Sequence, residues 1–172
     1  VRRWTSVTLD GGWTIHLGAT DHGICRIGFG GFAPRPAGEE WQRRDNDPLL
    51  VKAVRELAEY FRGERRQFDL PLDLDGTAFQ LRVWRRLLRI PYGTTRSYGE
   101  LARAVGRPKA ARAVGQACGA NPVAIVVPCH RVVAAGGALG GYGGGLKLKR
   151  RLLDLEKSAS PQKEAGRRAR RS

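Results

Sequence analysis

Carboxylates are nearly missing from the second half of this chain. Residues 1–75 carry 11 Lys+Arg against 12 Asp+Glu, whereas residues 76–172 carry 20 against 4, so the positive excess lies wholly in that half. Few side chains there can do a carboxylate's work, and a polyanion partner is expected, since neutralised phosphates release counterions. Long apolar runs are lacking too. No stretch reaches membrane-spanning length, and Val1-Arg2-Arg3-Trp4 has no apolar core of a signal peptide, so neither a transmembrane helix nor a leader is expected. Methionine is absent, and an absent or processed initiator is expected. Only Cys25, Cys118 and Cys129 carry thiols, an odd and scattered set. That argues against a disulfide framework and for a reducing, cytoplasmic setting. His16, His22 and Cys25 do not make up the four ligands of a tetrahedral zinc site, so no metal and no other cofactor is expected.

What is present suffices for a core: 41% of the 172 residues are hydrophobic. The pattern predicts an α/β (α+β) chain in three parts. Residues 1–75 read as a β-sheet domain with one helix. Trp4 to Leu9, Gly12 to Leu17 and Gly23 to Phe29 are β-branched and aromatic runs, and Asp10-Gly11 is a hairpin signal. A Pro/Gly-rich loop spans 30–38. Asp47-Pro48 opens a helix in which Leu50, Val54, Leu57, Ala58 and Phe61 recur at helical spacing, and Gly63 ends it. The segment 67–74 reads as extended, with a boundary near Asp75-Gly76.

Residues 76–157 read as a mostly helical domain. Thr77 and Gln80 form a capping box, as do Ser97 and Glu100. The second box starts a helix running to about Val105. Gly106-Arg107-Pro108 turns into a further helix from Pro108 to about Cys118. That pair is a helix-turn-helix pattern. Its second helix surrounds Arg112 with Ala111, Gly115 and other small residues, after Lys109. Small residues let a backbone approach DNA closely, and one long arginine can act as a wedge without a sequence code. Tight helix packing would explain the same residues. Gly136-Gly137 reads as a hairpin, and Leu146 to Lys157 as a last helix burying Leu148, Leu152 and Leu155. Residues 158–172 read as a basic, disordered tail that adds nonspecific affinity for DNA.

The chemistry centres on Pro128-Cys129-His130-Arg131, after the apolar run Val123 to Val127, which reads as a buried strand. A free thiol titrates near ~8.5 and needs a base or cation to become a nucleophile at neutral pH. Neighbours on a strand point to opposite faces, so Cys129 and His130 need not meet. A histidine acting as base needs an orienting group. Of the few carboxylates in this half, Glu100 belongs to its cap and Glu164 to the tail. Asp154 and Glu156 remain, where a helix C-terminus disfavours negative charge by roughly 0.3–1 kcal/mol unless it is paired. Glu156 lies beside the buried stripe and either partners His130 or faces solvent. Asn121-Pro122 and Tyr98 are further polar candidates, each with a packing or turn role as the alternative.

Taken in order, Gly76 to Gln80, Val83-Trp84, Ile90 to Gly93, Ser97 to Ala102, Ala111 to Gly115, Asn121-Pro122, Pro128 to Val132, Gly141 to Gly145 and Leu152-Leu153 with Glu156 closely resemble the O6-alkylguanine-DNA alkyltransferases. The resemblance covers residues 76–157 continuously and the first segment more loosely. It implies a ribonuclease-H-like N-terminal domain and a winged helix-turn-helix-like catalytic domain acting on double-stranded DNA as a monomer, with cooperativity on DNA left open. It implies stoichiometric, irreversible alkyl transfer from O6-alkylguanine, and from O4-alkylthymine, to Cys129. His130, linked to Cys129 through water, is then held by Glu156, Asn121 braces the site, and Tyr98 supplies a proton. Arg112 enters the base stack. Tyr98, Lys109, Ala111, Gly115 and Arg131 contact DNA, and Val132, Tyr142 and Gly143 form the base pocket. Some family members carry a hydroxyl residue where this chain has Gly143, so any O6 contact there falls to a backbone N–H. The glycines at 143–145 are expected to loosen the loop and widen the range of alkyl groups. Three rivals make different predictions: a lesion binder without a nucleophile, a transcription factor with a fixed operator, and a cysteine hydrolase with multiple turnover.

Overall fold

Asp10 and Gly11 fold the first two apolar runs back on each other. The computed structural model describes residues 1–31 and 38–158. In it, β1 (Arg2–Leu9) pairs antiparallel with β2 (Trp13–Ala19), from Leu9 opposite Trp13 to Arg3 opposite Ala19. β3 (Ile24–Phe29) continues the meander along β2. A short β4 (Trp41–Arg43), too brief to leave a periodic signal, adds in parallel to β1 and gives the order β3-β2-β1-β4. α1 (Pro48–Phe61) packs on this sheet through Leu50, Ala53, Leu57, Tyr60 and Phe61. Asp47 caps it as expected, accepting from the N–H groups of Leu49 and Leu50 at 3.1 Å. The extended segment that follows touches the sheet where Leu72 bridges Ile24.

The Thr77–Gln80 capping box is complete and starts α2 (Ala78–Leu87). Trp84 donates its indole N–H to the Ala117 carbonyl at 2.8 Å, tying α2 to the second helix of the helix-turn-helix. That motif consists of α3 (Tyr98–Ala104), entered through β5 (Arg96–Ser97), and α4 (Ala111–Gly119). Two expectations shift here. Ser97 accepts from the Glu100 N–H at 3.1 Å, but the Glu100 carboxylate lies 4.0 Å from Arg96, so the second box forms only by half. α4 begins at Ala111, because residues 107–110 close a turn in which the Ala110 N–H donates to the Arg107 carbonyl.

The apolar run 123–127 is buried but is no strand. Asn121 holds both of its ends, accepting from the Val123 N–H at 3.0 Å and donating to the Val127 carbonyl at 2.8 Å. The chain therefore doubles back through Ile125, whose φ is 71°. A β-branched residue there costs about 1–3 kcal/mol. Ile125 is 1% exposed, so its burial offsets that strain. Cys129–Arg131 forms a 3₁₀ turn, then β6 (Val132–Val133) pairs in parallel with β5. Gly136 and Gly137 make a tight turn in place of the expected hairpin, with no strand after it among the described residues. α5 (Leu146–Ser158) buries Leu148, Leu152 and Leu153, with Leu155 partly buried. One core cluster runs from Ile15 and Leu57 through Trp84 to Val127 and Leu152. No helix among the described residues is long and apolar enough to cross a membrane. The basic tail from residue 159 and most of the Pro/Gly loop lie outside the described residues.

Candidate active site

Glu156 is the hub of the site. Its carboxylate is 1% exposed, a position a charge tolerates only when paired and hydrogen-bonded. His130 Nε2 donates to it at 2.8 Å and the Arg131 guanidinium at 2.9 Å from both Nε and Nη2. The Tyr60 hydroxyl adds a bond at 2.8 Å and the Gly93 N–H one at 3.2 Å. Burial by itself would push the carboxyl up. The hydrogen bonds from His130 and Arg131, with the Arg131 charge, outweigh it and pull the pKa from 4.5 to about 2. Of the two roles left open for Glu156, pairing with His130 is the one realised.

His130 is completely buried, and burial pushes its pKa down, so it is neutral at pH 7. A carboxylate can only accept, so the ring proton sits on Nε2 and Nδ1 keeps its lone pair. Nδ1 has no hydrogen-bond partner among the described residues. Cys129 is next to it in the 3₁₀ turn, 8% exposed, with its Sγ accepting from Asn121 Nδ2 at 3.2 Å. Burial pushes the thiol's pKa up, while the Asn121 bond and the charge of Lys149 work against that rise.

Cys129 opens on a cavity of about 610 Å³. α4 supplies Ala111, Arg112, Gly115, Gln116, Cys118 and Gly119 to its lining, α3 supplies Tyr98, and the loop before α5 supplies Gly141, Tyr142 and Gly143. Arg112 is exposed at the rim. Tyr98 is half-buried and its pKa is raised, chiefly by burial, so its phenol keeps its proton. Gly140, with φ +68°, lets the loop close on that phenol, since a Cβ would stand 2.9 Å from the hydroxyl. Gly144 fits against Phe29, where a Cβ would come within 2.7 Å. A cleft of about 710 Å³ beyond Arg131, lined by Phe68, Ile90 and Tyr92 among others, contains no cysteine or histidine.

Two candidates fall elsewhere. Arg131, expected on DNA, is 7% exposed and committed to Glu156 and to the Ile90 carbonyl at 2.7 Å. Val132 is fully buried off the cavity, its carbonyl accepting from Lys149 Nζ at 2.6 Å. Lys149 also donates to the carbonyls of Leu139 and Gly141, pinning the start of the loop that closes the cavity. Lys109 is exposed in the turn before α4, outside the cavity lining. Sequence reasoning missed Lys149 and Tyr60. Lys149 follows Leu148 on the buried face of α5, and Tyr60 lies three residues after Leu57 on that of α1, which was the available signal. Among the described residues no group of three His, Cys, Asp or Glu side chains is placed to hold a metal ion.

Known proteins share the sequence and fold of this chain. Residues 78–158 match the family model of the 6-O-methylguanine DNA methyltransferase DNA-binding domain, and residues 12–74 that of its ribonuclease-like domain. A methylated-DNA–protein-cysteine methyltransferase of Mycobacterium tuberculosis is 63% identical over 109 residues, which span 63% of this chain and 66% of that protein. The inducible one of Bacillus subtilis is 44% identical over 161 residues, covering 87% of this chain and 88% of the relative. The crystal structure of the Mycobacterium tuberculosis O6-methylguanine methyltransferase superposes with a TM-score of 0.84 at 45% identity, covering 94% of this chain and 96% of that one. A Mycobacterium tuberculosis OGT in complex with DNA gives 0.82 at 47% identity, covering 92% and 95%. Extending as they do across both halves of the sequence, these matches mean that the chain belongs to the 6-O-methylguanine DNA methyltransferase family.

Proposed function

We propose that this protein repairs DNA by direct reversal, moving the alkyl group of O6-alkylguanine, and of O4-alkylthymine, irreversibly onto Cys129. The observation that carries the reading is a cysteine on the wall of a cavity with room for a flipped base, backed by a buried His–Glu pair and flanked by the helix-turn-helix. The matched structure in complex with DNA supports a DNA partner, in this reading a duplex bound by a monomer, and the free thiols fit a reducing, cytoplasmic setting. The chain divides near Asp75-Gly76 into a supporting sheet domain and the alkyltransferase domain.

The alkylated oxygen lies inside the duplex, so the nucleotide must leave the stack, at a cost of a few kcal/mol. Arg112 fills the gap, and the small Ala111 and Gly115 bring α4 close to the DNA. His130 Nδ1 takes the Cys129 proton through one bridging water, and Glu156 stabilises the imidazolium that results. The thiolate attacks the alkyl carbon, and the carbon–oxygen bond gives its pair to guanine. Tyr98 protonates the departing base. Asn121 steadies the sulfur, while Tyr142 and the Gly143 backbone line the base. Nothing in the site can cleave the thioether formed, so each molecule acts once.

Incubation with a duplex carrying one O6-methylguanine should place one methyl group on Cys129 and stop after one equivalent of lesion. Mass spectrometry of protein and DNA reads both halves of the reaction. Lesion repaired without an adduct on Cys129, or repair beyond one equivalent, would refute the proposal.

A further inference from the structure

A second sulfur faces the cavity that holds Cys129. Cys118 lies in the last turn of α4, is 8% exposed and lines the same space. Asn121 connects the two positions. Its backbone N–H donates to the Cys118 carbonyl at 3.2 Å and its side chain to Cys129 Sγ at 3.2 Å. Both thiols are free. Their surroundings differ. Cys129 has the Asn121 amide on its sulfur and His130 next to it in the chain. Cys118 sits where burial, and then any charge on Cys129, pushes its pKa up to about 12. Cys118 therefore remains a thiol at neutral pH and does not compete for the first alkyl group, which only a thiolate attacks at a useful rate. The alkyl-transfer reading gives it no role.

We propose that Cys118 captures the second electrophilic carbon of a bifunctional alkyl group, so that a 2-chloroethyl lesion delivered to Cys129 ends as an ethylene bridge between the two sulfurs. This rests on the alkyl transfer to Cys129 proposed above. The first transfer leaves Cys129 as S–CH2–CH2–Cl. Its sulfur lone pair then displaces chloride, which departs with its bonding pair, and a strained three-membered sulfonium forms. The Cys118 sulfur attacks a ring carbon. The breaking carbon–sulfur bond returns its pair to Cys129, and the Cys118 proton goes to solvent. The net change is loss of HCl, with nothing oxidised or reduced. A neutral thiol suffices for this step because the electrophile is a strained cation.

A disulfide usually requires Cα atoms about 4.4–6.8 Å apart, while a two-carbon bridge spans more and tolerates more. Both sulfurs are held at one cavity, so the second step is intramolecular, with the rate advantage that positioning confers over bulk water. The capture also serves the first reaction. Left alone, the sulfonium would alkylate the DNA lying at the cavity mouth and fasten the protein to the strand it has just restored.

Trypsin places both cysteines in one peptide, residues 113–131, after Arg112 and up to Arg131. The test mixes the full chain with a freshly prepared duplex carrying O6-(2-chloroethyl)guanine, and in parallel with an O6-methylguanine duplex. The expected product is this peptide with the mass of its chloroethyl adduct less HCl, and with fragmentation interrupted between Cys118 and Cys129. In C118S the bridged form should fall at least about tenfold as a share of all molecules alkylated at Cys129, with hydroxyethyl-Cys129 or a protein–DNA adduct in its place. Hydroxyethyl-Cys129 as the main wild-type product, or a bridge that persists in C118S, would overturn the capture and leave the alkyl transfer standing. No adduct from either duplex would overturn both.

Discussion

Replacing Glu156 with glutamine tests the centre of the site while keeping its shape. The carboxyl pKa of about 2 lies below its ordinary 4.5, so folding favours the charged form. At about 1.4 kcal/mol for each pH unit, that gap contributes about 3 kcal/mol. The sign follows from a depressed carboxyl: the contribution is complete above about pH 4.5 and is lost as pH falls towards about 2. Glutamine offers one accepting oxygen, but its NH2 must face a donor of Arg131, Tyr60 or His130. It also leaves the 7% exposed Arg131 without a counter-charge. Breaking a buried pair from one side costs roughly 3–5 kcal/mol, in line with the first figure. Urea unfolding of both proteins between pH 7 and pH 3 gives the measurement. E156Q should be weaker by about 3 kcal/mol or more at pH 7, and the difference should narrow below about pH 4.5 as the wild-type carboxyl takes up its proton. A deficit under about 1 kcal/mol at pH 7, or one that stays constant with pH, would show that the Glu156 charge does not hold this network together.

Two further substitutions separate other roles. R112A should slow repair of a lesion in duplex DNA by about tenfold or more, while slowing the reaction with free O6-benzylguanine base far less, because only the duplex must be unstacked. Single-turnover rates on the two substrates check it, and equal slowing would count against a wedge. N121A removes the donor on Cys129 Sγ and both clasps of the turn through Ile125. It should cost about 1–3 kcal/mol of stability. The pH profile of Cys129 alkylation should also move to higher pH, since that bond opposes the rise of the thiol.

Several local signals were legible because the deciding partner lies within a few residues. Asp47-Pro48, the Thr77–Gln80 box and the Asp10-Gly11 turn are of this kind, and each appears in place. Glu156 was found by elimination, because its half of the chain holds so few carboxylates. The run 123–127 misled because a short, wholly apolar stretch has no periodicity to separate a strand from a buried turn. The bonds of the Asn121 side chain to both of its ends set the course of the backbone there. Arg131 misled for a different reason. A charged residue beside a reactive cysteine reads as exposed, and only α5, 25 residues on, brings the carboxylate that lets it stay inside. Tyr60 and Lys149 likewise take their meaning from partners on distant elements.

The carboxylate at the centre of the site belongs to α5, yet it binds Tyr60, 96 residues earlier in the chain, and Gly93, 63 residues earlier. Chains are synthesised and fold from the N-terminus onward. Until α5 has left the ribosome and docked, His130 has no acceptor to fix its tautomer, and Cys129 is as unreactive as any other thiol in a growing polypeptide. On the proposed single use of Cys129, the acceptor is therefore kept from stray electrophiles until the group that arms it, 26 residues further along the chain, has been made.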